Sequence, residues 1–508
     1  MKLIRFCLLA ALFILLVSCP TPTEPTPTTP STPPAQEEYL GTWTIMVYLD
    51  SDNNLEPAGV EDFNEMERGL YLAQQLIPAI ADKLNIIVLF DRISGYDSSN
   101  GDWTDTRLYK VLPDNNMSTF ASQLITSDAN LQGELNMGDP TTLSNFISYV
   151  KTNYTNTNYM LVLWNHGGGT RSVGSTKISS GTKAVCWDDS NGDDALYTDE
   201  IQQVLAAHFN ASSKLDILGF DACLMGMVEI AYEFRNLARY MVASMHTEQG
   251  DGWDYEYIIQ KFAQGSASNY AGSSSYFFTA GNPSPRDLSK LIVYAYEHYI
   301  EDNANGSNNS GETLSAINLD STKLETLKTA LFYLAGMLDA ESKQSSIESD
   351  RDDAVNYFSS VLGINGDYSD ELAYPFFDIY DLCYIISNDI NARGYSAGLK
   401  NAAADVISKL HAVIVWAYGD QGAYRGPFRD GTAYYFGNDK SGLSIFFSRG
   451  NITYSGSSHY AYQWWYQATR ITNPGDYGNI DFAESNTGGS VDTWRELMNK
   501  WYYSGWGY

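Results

Sequence analysis

The fold of this chain is decided by residues 215–227, which read LDILGFDACLMGM. The first half is a short apolar run of the length expected for a strand that is buried on both faces of a parallel sheet. The run breaks at Asp221-Ala222-Cys223, and a helix-compatible segment continues from residue 225 to 237. Side chains at the carboxyl ends of parallel strands face the crevice where ligands bind, so Cys223 is placed for chemistry.

A second stretch, residues 159–169, has the same design and reads YMLVLWNHGGG. Its apolar run predicts another buried strand, which ends at His166 and three glycines. If the two strands are parallel neighbours, His166 and Cys223 leave the sheet at the same edge. A thiol and an imidazole that are close in space and distant in sequence are the expected constellation of a cysteine hydrolase. The glycines leave backbone amides uncovered, able to donate to a developing oxyanion.

Strand and helix patterns alternate through the first half of the chain, which predicts a mainly parallel sheet with helices on both faces. Further strands are predicted at residues 43–49, 85–90 and 240–245, and helices from residue 56, at 141–154 and at 198–209. Beyond about residue 272 the pattern changes to longer helices, predicted at 285–300, 322–345 and 397–418. Strand-like runs at 431–436 and 442–447 predict that this half adds strands to the fold.

Four motifs together resemble the clostripain family of cysteine peptidases. They are WTIMVYLDSDNNLE at 43–56, WNHG at 164–167, FDACLM at 220–225 and GDGW at 250–253. The resemblance covers roughly residues 40 to 265 and implies a caspase-like α/β fold and cleavage of protein or peptide substrates after Arg or Lys. Cys223 is then the nucleophile and His166 the base, and by analogy with caspase-like sites the amides of Gly167 and Cys223 hold the oxyanion.

A cationic P1 side chain requires a carboxylate at the bottom of its pocket. Asp221 precedes the nucleophile by two residues, and Asp251 lies on a glycine-flanked loop after the next strand. Both match acidic positions that are linked to substrate binding in the family. Either residue could instead be structural, Asp221 by capping the helix that follows it. Of the two, Asp251 is the preferred candidate.

The N-terminal residues predict export and lipid anchoring. Residues 1–19 combine a charged start with an apolar run too short to span a bilayer, and end in LVSC, which resembles a bacterial lipobox. We expect Cys19 to be lipidated, which places the chain at the bacterial cell surface or outer membrane; an ordinary cleaved signal is the alternative. Residues 20–38, rich in Pro and Thr, predict an extended stalk. Residues 39–271 would form the catalytic domain, completed by 272–508.

The charge balance excludes some partners. The 508 residues include 61 acidic and 31 basic side chains, a formal charge of −30, which argues against nucleic acid and anionic membrane surfaces. Such a charge would attract cationic substrates, although an acidic surface also keeps an exported protein soluble. Once Cys7 leaves with the signal and Cys19 takes lipid, three cysteines remain, so at least one thiol is free.

Two loops invite further predictions. Residues 167–184 are rich in Gly, Ser and Thr, and some relatives are activated by self-cleavage in this region, so Lys177 and Lys183 are equal candidates; a loop with incidental charges is the alternative. Residues 188–194 read DDSNGDD, in which an EF-hand fails because Asp194 stands where the required glycine should be. The mechanism needs no cofactor, but a looser calcium site at Asp189, Asn191 and Asp193 stays open.

Two rival functions remain. Residues 394–398 read GYSAG, a match to the nucleophile motif of serine esterases around Ser396, with His411 and His459 downstream. The residues before it are polar, whereas a nucleophile elbow must follow a buried strand directly. The other rival is a non-catalytic surface binding protein on the same fold, which predicts that Cys223→Ala leaves function unchanged.

Overall fold

The computed structural model of the chain describes residues 43–169, 185–270, 272, 275–303, 312–357, 376–420, 429–430, 437, 440–447, 480–483 and 491–503. Six predicted features lie outside these residues: Cys19, the stalk, Lys177, Lys183, His459 and the strand at 431–436. Within the described part of the chain, none of the helices has the length and apolar character that a membrane span requires.

The described residues contain fifteen strands. They are β1 (Trp43–Ser51), β2 (Leu84–Arg92), β3 (Arg107–Lys110), β4 (Gln123–Ile125), β5 (Asn158–Trp164), β6 (Val185–Asp188), β7 (Asp194–Leu196), β8 (Leu215–Asp221), β9 (Ala238–Ala243), β10 (Ser266–Ser268), β11 (Ser275–Phe277), β12 (Thr313–Asn318), β13 (Phe376–Asp378), β14 (Ile414–Gly419) and β15 (Ser444–Phe446).

The same residues contain eleven α-helices. They are α1 (Glu56–Leu76), α2 (Pro140–Asn153), α3 (Thr198–His208), α4 (Val228–Glu233), α5 (Tyr255–Gln264), α6 (Pro285–Asn303), α7 (Ser321–Ala340), α8 (Gln344–Asp353), α9 (Ile379–Asn388), α10 (Ala397–Val413) and α11 (Trp494–Met498). Short 3-10 turns occur at Ile80–Asp82, Ala129–Leu131 and Asp481–Ala483, and a π-helical turn at Asn499–Tyr503.

Nine strands form the central sheet, in the order β14-β12-β9-β8-β5-β1-β2-β3-β4. The five central strands, β9, β8, β5, β1 and β2, are parallel to one another. Antiparallel strands extend both edges, β12 and β14 on one side and β3 and β4 on the other. Because β12 and β14 come from the second half of the chain, the prediction that this half adds strands is confirmed.

The parallel strands are buried on both faces, which is why their sequences read as unbroken apolar runs. Along β1, Met46 and Tyr48 belong to one core, and Ile45 and Val47 belong to the other. Helices α2, α3 and α4 contribute to the first core, and α1, α5 and α6 to the second. The sheet is therefore the middle of three layers. Loops lie at the carboxyl ends of its parallel strands.

Three predicted helix boundaries are wrong. The helix expected at 397–418 ends at Val413, and the chain continues at once as β14, since the apolar pattern runs unbroken across the boundary. The helix expected from residue 225 is limited to α4, and the segment expected at 322–345 ends at Ala340. In each case tertiary pairing or packing overrides a local pattern that marks no end.

Candidate active site

Strands β5 and β8 end side by side at the carboxyl edge of the sheet. Trp164 lies opposite Asp221, and the N–H of Asn165 donates to the carbonyl of Asp221 across 3.2 Å. Because the two strands run in the same direction, the residues that follow them leave the sheet at the same edge. The structure thus brings His166 and Cys223 to one end of the fold.

Gly167 lies directly against the backbone of Cys223. A Cβ atom at position 167 would stand 2.0 Å from the carbonyl oxygen of Cys223 and 2.9 Å from its nitrogen, which no real side chain tolerates. Only glycine allows this approach, since it has no Cβ. The residue after His166 therefore fixes the distance between the two strand ends.

The Cys223 thiol is half-buried and receives a hydrogen bond from the backbone N–H of Glu248, at 3.3 Å from Sγ. Burial raises the pKa of the Cys223 thiol, and the N–H groups of Glu248, Gly167 and Cys223 itself oppose the shift. Leu224 follows with φ 66°, a left-handed conformation that is strained for a branched residue. This turn ends the extended backbone immediately after the thiol. Such a thiol is neutral near pH 7 and requires a base.

The His166 ring is held from two sides. Its Nε2 lies 3.0 Å from Oδ1 of Asn54, and its ring meets the ring of Trp187 edge-on, with centroids 6.1 Å apart. Because an amide oxygen only accepts hydrogen bonds, Nε2 must carry the proton, which leaves Nδ1 as the basic nitrogen. Burial lowers the pKa of His166 to about 4, so the ring is neutral at pH 7 and can accept a proton.

Buried carboxyl groups lie beside the thiol. Asp221 accepts hydrogen bonds from the Tyr255 hydroxyl at 2.9 Å and the Trp253 N–H at 3.3 Å. Burial raises the pKa of Asp221 to about 7. Both carboxyl oxygens of Glu248 are buried, and the carboxyl group shares hydrogen bonds with Asp221 and the side chain of Trp253. Burial and the neighbouring Asp221 and Cys223 raise the pKa of Glu248. A pair of acids so placed favours a cation between or beside them.

A third carboxyl group, from helix α1, completes this acidic group. Asp62 accepts a hydrogen bond from the indole N–H of Trp164 at 2.6 Å, and its other oxygen is buried without a partner. Gly252, with φ 65°, packs on both acids: a Cβ there would lie 3.0 Å from Asp62 and 3.2 Å from Asp221. The loop after β9 is therefore closed over the carboxyl groups by a glycine that no larger residue can replace without strain.

The two carboxylates singled out from the sequence lie in different surroundings. Asp221 is buried and bonded to the loop after β9, so it does not serve as the cap of a following helix. Asp251 is exposed and accepts a hydrogen bond of 2.6 Å from the hydroxyl of Tyr299 on helix α6. Both remain candidates for substrate binding, and Asp221 is the one next to the thiol.

Sequence reasoning missed Glu248 and Asn54. Asn54 ends the polar turn after β1, and Glu248 precedes the GDGW motif, so each follows a strand whose carboxyl end meets the same edge. That shared position was the available signal, since loops at this edge converge in parallel sheets. Their partners are distant in sequence, and no local pattern indicates them.

The calcium candidates predicted from the sequence stay a prediction, and a second acidic group lies beside them. Asp189, Asn191 and Asp193 lie on the exposed turn between β6 and β7, where the Asn191 side chain donates to Asp188 at 3.1 Å. Among the described residues, the carboxyl group set whose oxygens lie close enough to share an ion is instead a neighbouring one, formed by Asp52, Asp91 and Glu134.

The serine esterase alternative fails on geometry. Ser396 is the N-cap of helix α10, with its hydroxyl oxygen accepting the N–H of Leu399 at 3.2 Å. A turn after α9, and not a strand, precedes it. His411 lies half-buried on α10 and stacks on Tyr380, with ring centroids 6.0 Å apart. Ser396 is therefore a helix cap.

Comparison with known proteins agrees with this geometry. The clostripain family model matches residues 47–501. Clostripain from Hathewaya histolytica is 31% identical over 488 residues, which cover 90% of this chain and 86% of that protein. A crystal structure of a secreted C11 cysteine protease from Bacteroides thetaiotaomicron, bound to an irreversible peptide inhibitor, matches with a TM-score of 0.54 and 18% identity, over 87% of this chain and 99% of that one.

A crystal structure of an inactive zymogen C11 protease from Parabacteroides distasonis gives a TM-score of 0.50 at 17% identity, over 80% of this chain and 92% of that one. At such identities the two solved structures show a shared fold, which confirms the caspase-like α/β architecture. The family match and the 31% identity extend the assignment from the fold to the family. This chain belongs to the clostripain family and is a cysteine-type peptidase.

Proposed function

We propose that this chain is an endopeptidase that cleaves after Arg or Lys, with Cys223 as nucleophile and His166 as base. The observation that carries the proposal is the meeting of two strand ends, where Gly167 packs on the backbone of Cys223. Family membership sets aside the non-catalytic alternative. The serine esterase hypothesis is not supported by the position of Ser396, which caps a helix.

The proposed reaction begins with transfer of the Cys223 thiol proton to Nδ1 of His166. The thiolate attacks the scissile carbonyl, and the C–S bond forms as the carbonyl π electrons move to oxygen. His166 then gives its proton to the leaving amine as the C–N bond breaks, leaving a thioester. Water, deprotonated by His166, hydrolyses the thioester and restores the thiol. The low pKa of His166 supports this role, because the free ring is unprotonated at neutral pH.

The oxyanion would be held by the N–H groups of Gly167 and Cys223. Together with the N–H of Glu248, both groups lower the pKa of the Cys223 thiol, which indicates that they lie near the sulfur. When the substrate carbonyl carbon is bonded to this sulfur, its oxygen would lie near the same N–H groups. Donors fixed by backbone geometry need no reorganisation during the reaction, which is the source of their catalytic effect.

We assign the P1 carboxylates to Asp221, assisted by Glu248, with Asp251 as the outer alternative. Asp221 and Glu248 lie next to the nucleophile, and Glu248 shares hydrogen bonds with Asp221 and with the side chain of Trp253. A guanidinium or ammonium group would add charged donors and relieve the repulsion between the two acids. The overall negative charge of the chain would favour encounter with such substrates.

The class and the nucleophile are tested by one assay. The purified chain is incubated with fluorogenic peptides that end in Arg, Lys or an uncharged residue, beside Cys223→Ala and a Cys383→Ala control in which a buried structural thiol is removed. We expect Arg and Lys peptides to be cleaved by the parent chain and by Cys383→Ala, and not by Cys223→Ala. Equal hydrolysis by Cys223→Ala would reject Cys223 as nucleophile.

Self-cleavage at Lys177 or Lys183 would supply the activation step. The loop that carries them is rich in small residues and follows His166 directly in sequence, so cleavage there would free the chain beside the site. A P. distasonis relative is described as an inactive zymogen, which supports control by processing. N-terminal sequencing of the purified protein, compared with Lys177→Ala, Lys183→Ala and Cys223→Ala, would identify the cut; a cut that persists in Cys223→Ala would exclude self-cleavage.

Export and lipid anchoring through Cys19 form the last part of the proposal. Its support is the LVSC sequence after a short apolar run, and the secreted state of the B. thetaiotaomicron relative. Labelling with a clickable fatty acid should mark the parent chain and not Cys19→Ala, while Cys7→Ala should be labelled normally. A parent chain without label would reduce the N-terminus to an ordinary cleaved signal.

A further inference from the structure

A small sheet from the second half of the chain packs against the turn that follows the thiol. Strands β13 and β15 pair with each other, outside the central sheet. On β15, the backbone N–H of Ser444 donates to the carbonyl of Gly226 at 2.9 Å, and its hydroxyl donates to the same oxygen at 3.3 Å. The backbone after Cys223 is thus paired with a residue of the second half of the chain.

The same turn is also held by the segment at 244–248, which follows β9. The Leu224 N–H donates to the carbonyl of His246 at 2.8 Å, and the Glu248 N–H donates to Sγ of Cys223 at 3.3 Å. Because Leu224 has φ 66°, its strained conformation persists only where surrounding contacts over-determine it. The segment therefore supports the turn and supplies a hydrogen-bond donor to the thiol.

A buried carboxyl group connects the small sheet to this segment. Oδ2 of Asp378, the last residue of β13, accepts hydrogen bonds from the hydroxyl of Tyr357, at 2.5 Å, and from the hydroxyl of Ser441. The Ser441 hydroxyl oxygen lies 3.4 Å from Sδ of Met245. The ring of Tyr357 meets the ring of His246 edge-on, with centroids 6.3 Å apart. All five residues are 0% exposed, so the two side chains that Asp378 holds pack directly on the segment after β9.

Asp378 is itself fixed by further hydrogen bonds. Its Oδ1 accepts the N–H of Asp381 at 2.8 Å and so caps helix α9, and its own N–H donates to the carbonyl of Val355 at 2.8 Å. Burial raises the pKa of Asp378 to about 6, and its hydrogen-bond donors oppose the shift, so the group is ionised at pH 7. An ionised acceptor makes stronger hydrogen bonds than a neutral one, which favours a single position for Tyr357 and Ser441.

We propose that Asp378 is a positioning residue for Cys223, acting through the two hydroxyl groups that it holds on the segment after β9. It fixes the backbone that supplies the Glu248 N–H to the thiol. This N–H lowers the pKa of the Cys223 thiol, so its displacement should decrease the fraction of thiolate. The effect on peptide cleavage rests on the proposed role of Cys223 as nucleophile, whereas the effect on the thiol itself does not.

Asp381, also in the first turn of α9, provides the matched control. It is buried like Asp378, and burial raises its pKa to about 7. Its carboxyl group accepts the N–H of Val355 at 3.0 Å and the N–H of Arg429 at 2.7 Å. Within the described part of the chain, none of the hydrogen bonds of this carboxyl group involves the segment after β9. Asp381→Asn therefore removes a buried charge from the same helix without a direct link to the thiol.

Peptide cleavage is compared in Asp378→Asn, Ser441→Ala and Asp381→Asn. Asn has one acceptor oxygen where Asp has two, so Asp378→Asn cannot serve both the helix cap and the two hydroxyl groups. We expect Asp378→Asn and Ser441→Ala to lower kcat for Arg peptides about tenfold and to change KM less than about twofold, because a displacement below 1 Å already slows the reaction. Peptides with citrulline, the uncharged analogue of Arg, should lose as much, since the charge beside the thiol is unaltered. Asp381→Asn should keep kcat within about twofold of the parent.

A second measurement does not depend on peptidase activity. Each chain is treated with iodoacetamide at pH 7.5, and alkylation of the peptide that carries Cys223 is followed by mass spectrometry. We expect alkylation to slow at least about threefold in Asp378→Asn and Ser441→Ala, because a thiol that loses the Glu248 N–H has a higher pKa. The rate in Asp381→Asn should equal that of the parent.

The control variant separates positioning from stability. Both Asn variants should lower the Tm by similar amounts, and Ser441→Ala, which removes a single oxygen atom, remains as the test if Asp378→Asn does not fold. If Asp378→Asn and Ser441→Ala keep the kcat and the alkylation rate of the parent, or if Asp381→Asn loses both, the role of Asp378 is structural and the proposal is rejected. If alkylation slows as expected while the parent chain cleaves none of the peptides, the positioning role stands and the proposed function fails.

Discussion

The carboxyl edge of the sheet carries two acidic groups, one on the nucleophile side and one on the base side. On the side of the proposed nucleophile, Asp221 and Glu248 lie beside Cys223, where we propose that the P1 side chain binds. On the base side, Asp52 and Asp91 lie under the turn that holds His166. Asp221, Asp52 and Asp91 are all buried, and burial raises the pKa of each carboxyl group.

The difference between the two groups lies in their other contacts. Asp221 accepts from the hydroxyl of Tyr255 and from a backbone N–H, so it has neutral donors when no substrate is bound. Asp52 accepts from Ser190, and Asp91 accepts from the N–H of Arg92 and the side chain of Thr106, while both carboxyl groups lie within 4.8 Å of Glu134.

The proposed difference between the two acidic groups is tested most directly by removing a negative charge beside Cys223. We expect Asp221→Asn to lower kcat/KM for Arg peptides roughly 100-fold to 1000-fold, because it leaves a buried cation unpaired. Glu248→Gln should act in the same direction. Peptides with citrulline at P1, which has the shape of Arg without its charge, should lose less than about threefold in either variant. The measurement is kcat/KM for the paired peptides.

Asp251→Asn is the matched control, because Asp251 is exposed and bonded to Tyr299. Its effect on Arg peptides should be under about tenfold, as expected for a solvated charge. If Asp251→Asn instead causes the large, charge-selective loss, then Asp251 is the P1 carboxylate and the buried pair has another role.

Gly167 lies between the two sides of the site. Its substitution should therefore displace both His166 and Cys223. Gly167→Ala places a Cβ 2.0 Å from the Cys223 carbonyl, so the strand ends must separate. We expect kcat to fall about 100-fold, the loss typical of a displacement near 1 Å, for Arg and citrulline peptides alike. Gly250→Ala, at a position with nothing within 4 Å, should retain full activity. Equal activity of the two variants would show that the contact does not position the site.

The base side is tested through Asn54. Asn54→Ala removes the acceptor of the Nε2 proton, and we expect kcat to fall roughly tenfold while KM changes little. Asn54→Asp keeps the acceptor and adds a negative charge, which raises the pKa of His166. Its activity should therefore recover at neutral pH, with the acid limb of the pH profile moved to higher pH. An unchanged profile in Asn54→Asp would remove Asn54 from the proposed mechanism.

The sequence predicts the centre of this fold well and the acidic groups poorly, for one physical reason. Buried parallel strands carry their own signal, since β5 and β8 read as apolar runs that stop at His166 and near Cys223. The contacts of Glu248 and Asp91 join segments far apart in the chain, and periodicity contains no information about such pairs. The sequence also fails to predict that α10 ends at Val413, because β14, which follows it, is defined by its pairing with β12.

The smallest expected effect is a difference between the pH profiles of Arg and citrulline peptides. It tests whether the carboxyl group of Asp221 attracts the substrate. Burial raises the pKa of Asp221 to about 7 and lowers that of His166 to about 4. As pH falls below about 7, Asp221 takes a proton in the free enzyme, and the site loses the negative charge that attracts Arg. His166 stays unprotonated until about pH 4, so the base remains competent across this range.

We therefore expect kcat/KM for Arg peptides to fall as pH drops from about 7 to 5, while the value for citrulline peptides stays level until near pH 4, where His166 gains its proton. The ratio of the two values should change by roughly fivefold between pH 7 and pH 6, because a carboxyl group with a pKa of about 7 goes from about half to about a tenth ionised. Asp221→Asn should abolish the difference, since no titrating carboxyl remains at that position. If both peptides lose activity together below pH 7, the limiting group is the base or the thiol, and the buried acid does not select the substrate.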